Sequence, residues 1–577
     1  MSLPFEIVAP RARDRTIIGF TLLGVLAITV LLQIWRPYFY LTDDSFTGFF
    51  PVAVDTARSL WAGRPIVVNA HIFGGNYDML HDPACIALWS PWLFLFSPLA
   101  LTRQYTLIVD AISLANSCTI GAAFAGSMLF LRRRLNLATS DWAIVVATLS
   151  YTFTPYNLLI GSSWLGFLNA QTVFPIAVAA SFARRWWLGS LCLAPAFIFG
   201  LVGGHLHPTI MAALFGGLMV AALSFARRSW TPLVAFGCGG LMAMLLISPL
   251  LWPAFQGFGQ AQRSVGMTVE GAAAQNVPVD LLVESFLFGP LAGLWSPGMP
   301  IFESEPLFGL GLAFSLINIP AIVAVLIAFR NGKFDRISGA LFALLLLAAV
   351  WTVHPDWLAY LHVHIPLVKS LRWPFRELPI ILFVAHVLFV LNVPVLHDLA
   401  RPFRLAIFGL GVASFSLILL NNAPSLNVLP LDRRLVLSGE ADRYWAMLKA
   451  TSPAPLKIVV GTKGMLIRYA NERVPYSVLG AYNFAALFDV IHVSGYSVTV
   501  PAPQRFSPMR PSHWSGIFRD VHAIKFADQT PGLTLVLLRR VEVIRWTVAT
   551  PERERWFRFD DDSGTIIEEQ GPPGYIP

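Results

Sequence analysis

Runs of about 20 apolar residues recur along this chain, each long enough as an α-helix to cross the roughly 30 Å of bilayer hydrocarbon. About eleven are legible, near residues 17–34, 105–131, 141–159, 166–183, 188–202, 208–226, 231–251, 307–329, 338–353, 376–394 and 403–421. A solvated surface cannot be built from what remains: 56% of the 577 residues are hydrophobic, only 13% are charged, and the mean hydropathy is +0.63. The expected fold is therefore a polytopic α-helical membrane protein. The first run follows Arg11, Arg13 and Arg15 and has no small-residue cleavage site before Arg36, so it reads as an uncleaved anchor.

Basic residues set the orientation, because Lys and Arg in short loops stay cytoplasmic. With the N-terminus inside, the inner loops carry Arg11/Arg13/Arg15, Arg132/Arg133/Arg134, Arg184/Arg185, Arg227/Arg228, Arg330/Lys333/Arg336 and Arg401/Arg404. The outer segments at 160–165 and 203–207 carry no positive charge, and the long one at 252–306 carries only Arg263. The formal charge of +8 thus reads as topology signal rather than as a nucleic-acid surface. Cys85, Cys118, Cys192 and Cys238 lie too far apart in sequence to suggest a disulfide framework or a zinc site.

The transmembrane part is expected over 1–421, with a first outer loop at about 35–104 and another outer loop at about 252–306. That first loop includes a Trp-rich run from Cys85, interrupted by Pro91 and Pro98, which is expected to lie along the membrane surface rather than cross it. Past Asn421 charge rises and short β-like runs appear at Lys457–Val460, Met465–Tyr469 and Leu533–Leu538. Residues 422–577 are accordingly expected to form a soluble extracytoplasmic α/β or α+β domain.

The outer face also holds the chemistry-bearing groups. Asp43 and Asp44 are adjacent carboxylates just past the first run; one could hold a raised pKa and accept a proton, or the pair could cap a helix over Ser45–Leu60. Lys369, Arg372 and Arg376 stand before the tenth run, on the side that topology keeps poor in positive charge, where guanidinium forks suit phosphate oxygens. His205 and His207, and likewise His362 and His364, form H-x-H pairs, but no third and fourth ligand converge in the sequence. Hydrogen bonding to phosphate or to a sugar hydroxyl is the favoured use for them. No metal site and no cofactor are expected, with a divalent metal the disfavoured alternative. Gly74 and Gly75 make a turn that lets backbone approach a ligand, and Asn76 and His81 beside it are candidate substrate-lining residues. GxxxxGK, GxSxG and HExxH are all absent, which argues against nucleotide-driven pumping and against serine or zinc hydrolysis.

Four stretches carry a family resemblance: Asp43-Asp44, LWAGRPIVVNAHIFGG from Leu60 to Gly75, LRWPFRELP from Leu371 to Pro379, and NFAALFDVIHVSGY from Asn483 to Tyr496. In that order they resemble the GT-C superfamily of membrane glycosyltransferases, and more closely its YfhO-type branch. The resemblance implies transfer of a sugar from a polyprenyl-phosphate carrier to an extracytoplasmic glycan, lipid or protein acceptor at the cytoplasmic (inner) membrane. Asp43 or Asp44 would serve as base, and Lys369, Arg372 and Arg376 would hold the donor phosphate, with His205 and His207 in support. Two rival readings belong to other classes. In a lipid or solute transporter buried charges would mark a path, and an inactive envelope scaffold would keep its function without the acidic pair.

Overall fold

The computed structural model describes residues 12–35, 45–72, 75, 77–82, 85, 88–102, 107–137, 139–163, 166–203, 206–260, 266–288, 311–365, 369, 378–398, 401–402, 405–406, 409, 412, 416, 439–450, 457–460, 483–492, 533–538, 545–549, 554–560 and 565–570. The helices are α1 (Ala12–Trp35), α2 (Phe50–Trp61), α3 (Pro91–Phe96), α4 (Leu107–Arg134), α5 (Asp141–Thr152), α6 (Pro155–Ser163), α7 (Phe167–Ser181), α8 (Trp186–Gly203) and α9 (Leu206–Arg227). They continue with α10 (Thr231–Gln260), α11 (Val269–Ala273), α12 (Val279–Phe288), α13 (Asn318–Arg330), α14 (Arg336–Val353), α15 (Asp356–His364), α16 (Leu378–Asn392) and α17 (Glu440–Ala450).

Seven helical stretches among the described residues are long and apolar enough to cross a membrane: Ala12–Trp35, Asp110–Arg134, Trp186–Gly203, Leu206–Arg227, Thr231–Phe258, Arg336–Val353 and Leu378–Leu396. Phe20, Leu23, Leu31 and Ile34 of α1, and Leu241, Leu245, Leu246 and Trp252 of α10, are exposed. Apolar faces of that extent are stable against lipid rather than water. The last stretch is the centre of the bundle, with 89% of its apolar window buried against 22% for Thr231–Phe258 at the periphery.

Three expected spans depart from a single long helix. The run at 141–159 breaks between α5 and α6 because Pro155 disfavours helical backbone at Thr154. Asn157 Nδ2 repairs the break by donating to the carbonyls of Tyr151 (2.8 Å) and Thr152 (3.2 Å). The run at 166–183 folds as the 15-residue α7, and the run at 307–329 yields only the 13-residue α13. Most of 403–421 lies outside the described residues.

One end of the bundle is basic and ionic. Arg132 donates to Asp141 (2.6 Å) and Asp14 (3.2 Å), Arg13 donates to Asp141 (2.6 Å), and Arg133 pairs with Asp14. Arg134 Nε donates to Phe182 O (2.8 Å) and Arg227 Nη2 to Leu135 O (2.5 Å). The start of α1, the end of α4, the start of α5 and the ends of α7 and α9 therefore meet, so α1 and α4 run antiparallel. The chain between them returns to the end it left. The apolar stretch within it folds as the six-residue α3 and a 3₁₀ turn over Ser97–Leu101. Together they span Pro91–Leu101, about 19 Å of helix and short of the hydrocarbon thickness.

The core of the bundle holds a polar chain. His386 Nδ1 donates to Leu382 O (2.5 Å), which leaves Nε2 to accept from Ser315 Oγ (3.0 Å), and Ser315 in turn lies 2.6 Å from Ser150 Oγ. Phe124, Tyr151 and Phe383 close around it, with Phe124 and Tyr151 ring centroids 4.8 Å apart.

In the tail, the strands β3 (Lys457–Val460), β4 (Ile491–His492), β5 (Leu533–Leu538), β6 (Arg545–Ala549), β7 (Glu554–Asp560) and β8 (Thr565–Glu569) form one sheet in the order β4-β3-β5-β6-β7-β8. β3 is parallel to β4 and β5, and the remaining pairs are antiparallel. Two of the three expected β runs are strands here; Met465–Tyr469 lies outside the described residues.

Candidate functional site

The opening loop folds over the end of the bundle opposite the ionic cluster. Its centre is α2, preceded by one π-helical turn over Ser45–Phe49, so the helix expected over Ser45–Leu60 forms with a wide first turn. Residues Phe50–Ala57 and Ser59 of α2 are all buried, Asp55 included at 3% exposure. A helix buried on every face packs on several sides at once. α2 lies against Ser97–Leu101 and against the tail's 3₁₀ turn at Phe484–Phe488.

That tail segment is seated by polar bonds as well as by apolar burial. Arg58 Nη1 donates to Leu487 O (2.7 Å), a contact 429 residues apart in sequence, and Asn483 Nδ2 donates to Gly48 O (3.2 Å). Phe484, Ala485, Ala486 and Val490 are fully buried, and Trp445 of α17 stacks on Phe488 at 6.0 Å. The His492 N–H donates to His71 O (2.7 Å), extending the loop's backbone into the tail.

After α2 comes a short antiparallel pair, β1 (Val68–Asn69) and β2 (Tyr77–Asp78), joined by a turn in which Gly75 adopts φ +92°. A side chain there would be strained and would press on Ala70 O and Ile491, which is why glycine serves at this loop–tail contact. Beyond β2, Tyr77 donates its hydroxyl to the buried Asp82, and Asp78 receives the Leu80 N–H (2.9 Å) and pairs with His81 Nδ1 (2.7 Å). Burial, with Asp82 alongside, pushes the Cys85 thiol well above its ordinary pKa, so it stays protonated and donates to Asp82 at 3.4 Å.

Three donor-bearing side chains converge where loop meets tail. Asp55 Oδ2 accepts from Asn69 Nδ2 (3.0 Å), and Asp55 Oδ1 lies 3.1 Å from His71 Nδ1. The other imidazole nitrogen lies 3.7 Å from Asp489 Oδ1. One donor atom from each residue falls within 4.8 Å of the others, so the three could hold a metal ion. Asp489 is the open side, its side chain 62% exposed and its backbone left-handed at φ 51°.

Of the residues expected to form the site, Asp43, Asp44, Gly74, Asn76, His205, Arg372 and Arg376 lie outside the described residues. Lys369 belongs to a different junction: its carbonyl accepts from Met267 N (3.1 Å) and its stem covers Gly266. His207 sits half-buried in the first turn of α9. His81 lies on the loop surface against Gly257 of α10. The expected H-x-H pair at 362 and 364 diverges. His362 is buried against His354 (Nδ1 to Nε2, 3.0 Å), whereas the exposed His364 contacts Tyr360 O (2.6 Å).

Sequence reasoning singled out the segments that carry Asp55, His71 and Asp489 but not these residues. The legible signal was Asp55 itself, a carboxylate inside an otherwise apolar helix. Its partners could not be read, because they come from two distant segments.

No family model matches this chain, and no curated protein matches it.

Proposed function

We propose that the protein is a membrane glycosyltransferase that moves a sugar from a polyprenyl-phosphate carrier to an extracytoplasmic acceptor. It would sit in the cytoplasmic membrane with its basic end inside and its opening loop and tail outside. The observation that carries this reading is a pairing at one end of the bundle. A groove of about 390 Å3 lined by Val30, Ile34, Leu99 and Leu107, with Gln33 and Asp110 among them, opens between the last turns of α1 and the first turns of α4. Its walls suit an isoprenoid chain. The polar loop that folds over the same end begins where α1 stops, so Asp43 and Asp44 follow α1 by only eight and nine residues.

Transfer from such a carrier needs a base for the acceptor hydroxyl and a cationic partner for the departing phosphate. Asp43 or Asp44 serves as the base in this reading, and Arg372 and Arg376 with Lys369 hold the phosphate. The Asp55–His71 pair keeps the loop in place. Removal of both carboxylates by Asp43→Asn with Asp44→Asn is expected to abolish transfer to the cell-envelope acceptor while leaving membrane insertion intact. Mass spectrometry of envelope glycans from cells carrying the double variant tests this, and a glycan profile equal to that of the parent strain refutes it.

A further inference from the structure

We propose that Asp55, His71 and Asp489 bind one divalent cation of the borderline class, zinc or manganese, and that this ion clasps the tail to the opening loop. Asp55 and His71 meet as a buried ion pair whose facing atoms form no hydrogen bond. Asp55 Oδ1 and His71 Nδ1 are both buried and face each other at 3.1 Å, yet neither has a hydrogen bond in the structure. A buried carboxylate oxygen and a buried imidazole nitrogen that meet without a formed hydrogen bond are under-satisfied, at a cost of up to about 1–3 kcal/mol. A cation between them would satisfy both. Ligand bonds of about 2.1 Å put their donor atoms about 3.0 Å apart at the right angle of an octahedral ion and about 3.4 Å apart at the tetrahedral angle of zinc, and the 3.1 Å found lies between the two.

The surroundings are arranged to hold such ligands. Asp55 uses its second oxygen to accept from Asn69 Nδ2 (3.0 Å), which fixes the carboxylate plane and leaves Oδ1 turned to His71. Asn69 Oδ1 accepts from the His71 N–H (2.8 Å), and the His71 carbonyl accepts from His492 N (2.7 Å), so the histidine backbone is anchored on both sides. Asp489 supplies the third donor from the tail, and its exposure leaves the remaining coordination positions to water. One imidazole with two carboxylates suits zinc or manganese better than calcium, which takes oxygen ligands only.

The consequence is mechanical. Two ligands lie in the opening loop and one in the tail, so the ion closes a link between segments more than 400 residues apart in sequence. It holds the cap together and takes no part in sugar transfer, so the proposal stands independently of that activity.

The test uses the untagged full-length protein in detergent, stripped with EDTA and then dialysed against zinc or manganese chloride. The wild type is expected to retain a single equivalent of metal by plasma mass spectrometry. His71→Gln and Asp489→Asn are expected to retain less than about a tenth of that, since loss of one of three protein ligands removes most of the affinity. Asp489→Asn is the safer variant, because the residue is exposed and asparagine tolerates its left-handed backbone. At metal concentrations near ten times Kd, linkage also predicts about tenfold slower hydrogen exchange at the His492 amide in the wild type, with no change in Asp489→Asn. Absence of stoichiometric metal in the wild type, or equal metal in wild type and both variants, overturns the proposal.

Discussion

Gly257 is where α10 touches the opening loop, and a methyl group added there gives a sharp test of how the loop is seated. A Cβ at this position would overlap the carbonyl of His81, which is backbone on one side facing helix backbone on the other. Neither can swing away as a side-chain tip would. Overpacking typically costs about 1–3 kcal/mol, and an overlap with backbone belongs at the top of that range. Taking about 3 kcal/mol, and 1.4 kcal/mol per factor of ten, the seated loop loses about a hundredfold in population relative to the lifted one. Gly240 lies in the same helix with nothing within 4 Å of its hypothetical Cβ, so Gly240→Ala serves as the control. It is expected to stabilise the helix by up to about 1 kcal/mol through propensity alone. Hydrogen exchange in detergent or nanodiscs reads the difference at Met79 and Asp82, whose amides donate to Val67 O (2.9 Å) and Met79 O (3.4 Å) within the loop. Exchange there should quicken by up to about a hundredfold in Gly257→Ala and stay at the wild-type rate in Gly240→Ala. Equal exchange in the two variants would refute the claim that α10 supports the loop at His81.

Other expectations follow from the same contacts. At the ionic end, Asp14→Ala leaves Arg133 without its carboxylate and Arg132 with Asp141 alone and is expected to cost about 1–3 kcal/mol, whereas Arg13→Ala removes a largely exposed partner and should cost about 0–1 kcal/mol; thermal unfolding in detergent ranks the two. In the core, Ser315→Ala leaves His386 Nε2 and Ser150 without their shared partner and should cost about 1–3 kcal/mol by the same assay. The pH dependence has a definite sign at His354. Burial, with His362 alongside, lowers its pKa from 6.5 to about 4, so the unfolded chain takes up the proton first. The stabilisation is full above pH 6.5 and is lost as pH falls from 6.5 towards 4. His354→Asn, which suits the left-handed backbone at φ 55°, should flatten that part of the melting-temperature profile; an unchanged profile would remove His354 as its source.

The helical membrane class was settled by local composition, because a run of 20 apolar residues carries its own length and its own solvent. The gathering of Arg13, Arg132, Arg134 and Arg227 at one end was equally legible, since charge at the ends of spans is a property of each run separately. Continuity of the helices was not. Pro155 and the turn before Asn318 break apolar runs that hydropathy reads as whole, and repairs such as that by Asn157 depend on backbone geometry rather than on composition. The apolar stretch at 91–101 is too short a helix to cross alone, and the antiparallel α1 and α4, joined through Arg132 and Asp14, put both ends of the segment between them at one end of the bundle.

The loop–tail junction was decided by the fold alone. The segments at 60–75 and 483–496 stood out as motifs, but nothing in their local pattern says that Arg58 reaches Leu487 or that Asp55, His71 and Asp489 share one point. A local sequence encodes helix, strand and turn through nearest-neighbour sterics and hydrophobic period. The meeting of three donors from two distant segments is fixed only by how buried surfaces pack, and here that packing placed α2 between the membrane bundle and the tail.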